Sequence, residues 1–453
     1  MNFERAPQLS GEALDRKWYE RFIEIGKFEA FDYLSGDELI RKEERRQFEM
    51  GENRNPTLDY PRVEFDDFDK KDQELLALKQ EILDSEKNEI VKQAWRWKLN
   101  EKIAEARMLK AVAKGDARRF SRYSEFVYGK PSLAVFAYTV ASLKNEMRVM
   151  AGADNSDLAE AARELDLVLP DGLPKAEVAV LPTEETVSEA HDLTVGQLGG
   201  LIKIDGLEGE LGAGDIKQTF EEALKGLKAE GWQVVITPNK TAISVIQESS
   251  TVAVPETRKL LVEKLKQLVM HEIGTHVARR LNGERSKLML LGLGLDRYDS
   301  GEEGIATMRE QAFVGEVKDY AGLVGHLSIS LAKGLDGQPR DFRGVYDIMC
   351  KYYLISSLKE GKAKEEATVA AANKAWSTCV RTFRGSDCET PGACFTKDIV
   401  YREGNIGIWE VLRINPSEAR RFNIGKYDPN NNRHVWVLDQ LAISDQDLKD
   451  LDE

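Results

Sequence analysis

The segment His271-Glu272-Ile273-Gly274-Thr275-His276 constrains this chain more than any other, because it asks one helix to aim two imidazoles at one point. The whole chain holds only five histidines: His191, His271, His276, His326 and His434. Upstream of the pair, Leu260, Leu261, Leu265, Leu268 and Val269 follow a helical apolar pattern, which Pro255 and Glu256 are expected to open. Imidazole is the commonest zinc ligand, and a glutamate beside a ligand histidine can hold an activated water and take its proton. In an ideal helix, side chains four positions apart diverge by about 40°, but those five apart diverge by about 140°. A one-residue π-type bulge absorbs the extra residue and returns both histidines to one face. Gly274 and Thr275 are poor helix formers at the place where that distortion is needed, and they predict the bulge there.

A catalytic zinc takes three protein ligands and keeps one position open. The third is expected from Asp299-Ser-Gly-Glu302-Glu303-Gly304, which carries two glutamates at the start of the next helix. Chemistry alone leaves Glu302, Glu303 and Glu310 open for that role.

The rest of the chain sets the frame. Its 453 residues allow two or three domains, and a hydrophobic fraction of 42% is that of an ordinary folded protein. A net charge of −14 argues against nucleic acid or an anionic membrane as the main partner. The opening Met-Asn-Phe-Glu-Arg-Ala-Pro lacks the basic start and apolar run of a signal peptide. No apolar stretch reaches the roughly 18 residues of a membrane span, and the runs 134–143 and 288–295 read as buried helix or core. A cytoplasmic protein is the expectation. Cys350, Cys379, Cys388 and Cys394 suit a reducing compartment, and their spacing is not that of a zinc knuckle, so they read as free thiols.

Composition divides the chain into an N-terminal helical extension (1–50), a helical lobe (51–170), a zinc peptidase catalytic domain (171–430) and a C-terminal segment with an acidic tail (431–453). The second boundary is the Pro/Gly-rich connector around Leu169-Pro-Asp-Gly-Leu-Pro174. Beyond it the pattern predicts strands over 176–181, 232–237, 242–246 and 251–254, and a helix over 215–230. The expected fold is α+β and predominantly helical. Its zincin-like metallopeptidase core places a small sheet beside the bulged helix, an arrangement that lays a peptide along a sheet edge.

Further motifs make the sequence recognisable. His-Glu-Ile-Gly-Thr-His-x-x-Arg279-x-x-Asn282, followed by Glu302-Glu303-Gly-Ile-Ala, resembles the tyrosine carboxypeptidase family. That family includes the microtubule-associated tyrosine carboxypeptidase and prokaryotic relatives known as a domain of unknown function. Asn55-Pro56, Tyr60-Pro61, Tyr128-Gly-Lys-Pro131, Cys379-Val-Arg-Thr-Phe-Arg-Gly385, Gly392-Ala-Cys-Phe-Thr-Lys-Asp398 and Tyr401 extend the likeness. The resemblance implies one zinc ion on His271, His276 and Glu303, with Glu272 as the base and Glu302 behind the ligands. It implies hydrolysis at the C-terminus of a peptide or protein, releasing Tyr or Phe. A free carboxylate must then be bound, for which Arg381, Arg384 and Lys397 are the candidates. Tyr401 is the candidate oxyanion donor. Arg279 and Asn282 are expected to brace the helix, and His326 reads as a core histidine. A zinc peptidase of other specificity shares the motif, since dipeptidyl-peptidase III also uses His-Glu-x-x-x-His. A non-catalytic, zinc-bearing regulatory protein is the other alternative, although it would have no need of Glu272.

Overall fold

The computed structural model describes residues 13–444 and 446, apart from 27, 176, 177, 179, 180, 205, 239–241 and 248. The strand expected over 176–181 and the acidic tail fall largely outside these residues. Among those described, the fold is predominantly helical with two small sheets, an α+β architecture. No helix there is long and apolar enough to cross a membrane.

Helices begin where a side chain can satisfy the first free N–H groups. Asn88 caps Ile90 and Val91 to start the helix Glu89–Ala113, and Ser132 caps Val135 to start Leu133–Met150. The first of these packs on Phe65–Ser85, Ala117–Tyr128 and Arg16–Ile25 around Trp18, Phe22, Leu75, Trp95 and Leu99. The run 288–295 lies in this same core, through Leu288, Leu290, Leu291 and Leu295. A second core joins Phe48, Phe136, Val140 and Leu165 to Phe342, Met349, Trp376 and Phe383. Residues on both sides of position 170 therefore share cores. The buried carboxylate of Asp15 fastens the first helix to the run 288–295. It accepts hydrogen bonds from the backbone N–H of Met289 (2.7 Å) and Leu290 (2.9 Å) and from the Trp95 indole (3.0 Å). Burial pushes its carboxyl up to about 6 against those donors. All four cysteines are free thiols.

The main sheet has three strands, with Thr251–Pro255 in the middle. β2 (Gln233–Thr237) runs parallel to β4 (Thr251–Pro255), and β3 (Ser244–Ile246) runs antiparallel to it. The central β4 is buried along its whole length, as suits a short, largely apolar strand covered on both faces. The helix Ala213–Gly226 covers this sheet through Ile216 and Phe220. Sequence and structure differ next to it. The helix expected to open at Pro255 begins at Val262, because Pro255 ends β4 and Leu260–Leu261 forms β5, paired antiparallel with β1 (Glu210–Leu211). That pairing spans a long stretch of chain, and the local apolar period cannot reveal it.

The histidine helix then runs through 262–285 as α (Val262–Leu268), π (Val269–Val277) and α again (Ala278–Arg285). A glutamate helix, Asp299–Val314, crosses it and packs against Ile399–Ile414. Glycines set that approach. A Cβ on Gly304 would lie 2.5 Å from the carbonyl oxygen of Gly404, and one on Gly404 would collide with Ser300. Gly304→Ala must therefore push backbone against backbone, beside Glu303. We predict a loss of about 1–3 kcal/mol, read as a lower urea midpoint. An unchanged midpoint would show that the helices can part freely.

Candidate metal centre

The π winding follows from what surrounds Gly274 and Thr275. The Thr275 hydroxyl donates to the carbonyl of Met270, five residues back, at 2.9 Å. The buried guanidinium of Arg309 donates to Gly274 O and Thr275 Oγ1, each at 2.9 Å, and to Asn423 Oδ1 at 2.7 Å. A Cβ on Gly274 would lie 2.9 Å from Leu198 Cδ1, so the helix Glu184–Leu198 packs directly on the bulge. Wound this way, the rings of His271 and His276 lie 5.0 Å apart between centroids.

The two imidazoles meet the glutamate helix at Glu303. Its Oε2 is 3.8 Å from His271 Nε2 and 3.9 Å from His276 Nε2. Ligand atoms of all three residues fall within 4.8 Å of one another. Glu303 Oε2 is buried and has no hydrogen-bond partner. A carboxylate oxygen so placed is costly unless a cation faces it. Two imidazoles with one carboxylate form a donor set suited to a catalytic zinc.

The opposite ring nitrogens face carboxylates. His276 Nδ1 is hydrogen-bonded to Glu302 Oε1 at 2.9 Å, whereas His271 Nδ1 makes a close ion-pair contact with Glu310 Oε1 at 2.6 Å without hydrogen-bond geometry. A carboxylate behind each ring fixes its orientation and leaves Nε2 facing Glu303. Cations in turn hold these carboxylates. Arg279 donates to Glu302 Oε2, Lys426 Nζ lies 3.5 Å from Glu302 Oε1, and Lys264 Nζ donates to Glu310 at 2.7 Å. Burial raises the Glu302 carboxyl, but Lys426, Arg279 and His276 outweigh it and hold the group well below the usual range. For Glu310, burial is likewise outweighed by His271 and Lys264, which bring it down to about 2. The three glutamates left open by spacing thus occupy three different places. Arg279 also donates to Tyr427 O (2.7 Å) and Asn282 to Asn423 O (2.8 Å), so both brace the helix.

Glu272 is buried beside the cluster. Burial raises its carboxyl, His271 and His276 oppose that, and Glu303 and Glu310 add to it, with a net rise. Tyr401, on the helix Ile399–Ile414, has its hydroxyl pushed well up, first by the charge of Glu303 and then by burial. Lys397 is held up by Asp299, Glu303 and Asp398 against the opposing effect of burial, with its Nζ 3.9 Å from Asp299 Oδ1. Arg381 donates to Asp398 Oδ2 at 2.8 Å. Arg384 differs from it: its Nε is buried without a hydrogen-bond partner, and among the described residues no carboxylate lies within ion-pair distance. His326 sits in the core, 2.9 Å from Glu403 and 3.3 Å from Ser330. Sequence reasoning missed Arg309, Lys264 and Lys426. One signal was available for Glu310, which lies seven positions after Glu303 and so on the same helix face.

Residues 203–318 match a family model described as microtubule-associated tyrosine carboxypeptidase. Microtubule-associated tyrosine carboxypeptidase 1 of Mus musculus is 28% identical over 155 residues, covering 33% of this chain and 27% of that protein. The similarity thus spans little more than a quarter of the relative's length. No solved structure matches. The family match contains His271, Glu272, His276, Glu302, Glu303 and Glu310, so the chain resembles the tyrosine carboxypeptidases where it carries this centre.

Glu302→Gln and Glu310→Gln each keep the shape of the side chain but remove the charge behind an imidazole. Zinc affinity is predicted to fall about 10–100-fold in each, measured by competition with a chromophoric chelator. Affinity equal to that of the parent in both variants would refute their role.

Proposed function

We propose that the chain is a zinc-dependent metallocarboxypeptidase, built on a zincin-like core, that hydrolyses the C-terminal peptide bond of a peptide or protein. The observation that carries this reading is Glu303 Oε2, buried without a hydrogen-bond partner and 3.8 and 3.9 Å from two imidazole nitrogens. The small sheet packed beside the bulged helix supports the zincin-like core. His271, His276 and Glu303 would hold one zinc ion, which when bound supplies Lewis acidity and makes water acidic enough to attack near neutral pH.

The chain's own groups do the rest. Glu272 takes the proton of the attacking water and passes it to the leaving amine. A buried carboxyl next to His271 in the chain is placed for that exchange. Tyr401 donates a hydrogen bond to the carbonyl oxygen as it gains charge. Arg384 receives the terminal carboxylate, assisted by Lys397 and Arg381. The resemblance to tyrosine carboxypeptidases supports a leaving Tyr or Phe.

Glu272→Gln should leave folding and zinc content unchanged while turnover falls by about 10²–10⁴-fold. This is measured by mass spectrometry on peptides with free and with amidated C-termini. Persistent turnover would remove Glu272 from the role of base. Undiminished cleavage of amidated peptides by the parent would favour a peptidase of other specificity.

A further inference from the structure

The N-terminal part of the chain lies outside the family match over 203–318, yet it reaches two of the basic residues proposed to bind the terminal carboxylate. After the helix Arg16–Ile25 the chain makes one short helical turn, Ala30–Tyr33. Buried charged side chains of the helix Glu89–Ala113 hold this turn in place. Lys102 Nζ donates to Phe28 O at 2.8 Å and to Glu29 Oε1 at 3.0 Å, and Glu105 Oε1 accepts from the N–H of Ala30 at 2.5 Å. Phe28, Ala30 and Leu34 are buried, whereas Phe31 among them is 39% exposed. Its ring lies against two cations. Arg384 Cζ is 4.2 Å from the ring centroid and Lys397 Nζ is 5.6 Å from it.

The two arginines nearby are held in different ways. Arg381 is paired with Asp398, which occupies its Nε. Arg384 has no such partner among the described residues, and its Nε is left without an acceptor. An aromatic face attracts a guanidinium through its quadrupole, and it neither neutralises the charge nor fills the in-plane donors. A cation held this way stays available to an incoming carboxylate.

We propose that Phe31 is a positioning residue of the substrate site, whose ring fixes Arg384 so that the guanidinium meets the terminal carboxylate of the peptide. The inference rests on the role given to Arg384 above, and it makes the segment around Ala30–Tyr33 a wall of that site. Because Phe31 acts by orienting a cation, its loss weakens discrimination for the carboxylate and leaves contacts with the rest of the peptide intact.

The test uses the full chain carrying Glu272→Gln, loaded with zinc. Calorimetry gives the Kd of a short synthetic peptide ending in phenylalanine, with a free or an amidated C-terminus. The parent is expected to prefer the free acid by about ten-fold or more. Phe31→Leu should cut that preference by about five-fold with an unchanged melting temperature, while Phe31→Tyr and Phe31→Trp keep it. Phe31→Met serves as a second ring-free variant should the leucine protein fold poorly. An undiminished preference in the ring-free variants, with the preference lost in Arg384→Gln, would overturn the inference and leave the carboxylate reading standing. No preference in the parent, or an undiminished one in Arg384→Gln, would overturn both.

Discussion

Two imidazoles five positions apart on an α-helix point about 140° away from each other, so the centre depends on Val269–Val277 leaving α-helical winding. The surroundings stabilise that departure. Thr275 satisfies a carbonyl inside the bulge, buried Arg309 satisfies another, and Gly274 lets Leu198 close over the outside. Gly304 and Gly404 then let the glutamate helix and its neighbour approach closely, with Glu303 at that crossing. If the helix were regular, the same residues would make an unremarked surface.

Charge is arranged in shells around this point. Glu303 faces the two Nε2 atoms, Glu302 and Glu310 stand behind the rings, and Arg279, Lys426 and Lys264 stand behind those carboxylates. Buried ion pairs add little net stability, because desolvation consumes most of the attraction. Their value here is orientation: each imidazole is held to one nitrogen inward and one outward. Glu303 Oε2 differs from the other two glutamates in having no hydrogen-bond partner of its own, and that contrast is the physical basis of the proposed zinc chemistry.

Much of this was legible in the sequence. The five-residue spacing with Gly274 and Thr275 announced the bulge, and the β-branched runs located β2, β3 and β4 to within a few residues. Spacing could not choose among Glu302, Glu303 and Glu310, since all three lie on one helix and only the crossing geometry separates them. The resemblance to the tyrosine carboxypeptidases implied Glu303, and the structure brings that residue to the two histidines. The start of the histidine helix was misread because β5 pairs with a strand far back in the chain. Arg309, Lys426 and Phe31 were illegible for a similar reason. Their roles come from partners distant in sequence, and an arginine or phenylalanine in a helical pattern looks like any other.

The central claim is that Glu303 completes a metal site with His271 and His276, and ligand-linked stability tests it most directly. A ligand that binds only the native state stabilises it by an amount that grows with the logarithm of the free ligand concentration over its Kd, and so raises the melting temperature. Stoichiometric zinc added to metal-free parent protein should raise the melting temperature clearly, whereas the same addition to Glu303→Gln should raise it little or not at all. An equal rise in both proteins, or none in the parent, would contradict the account.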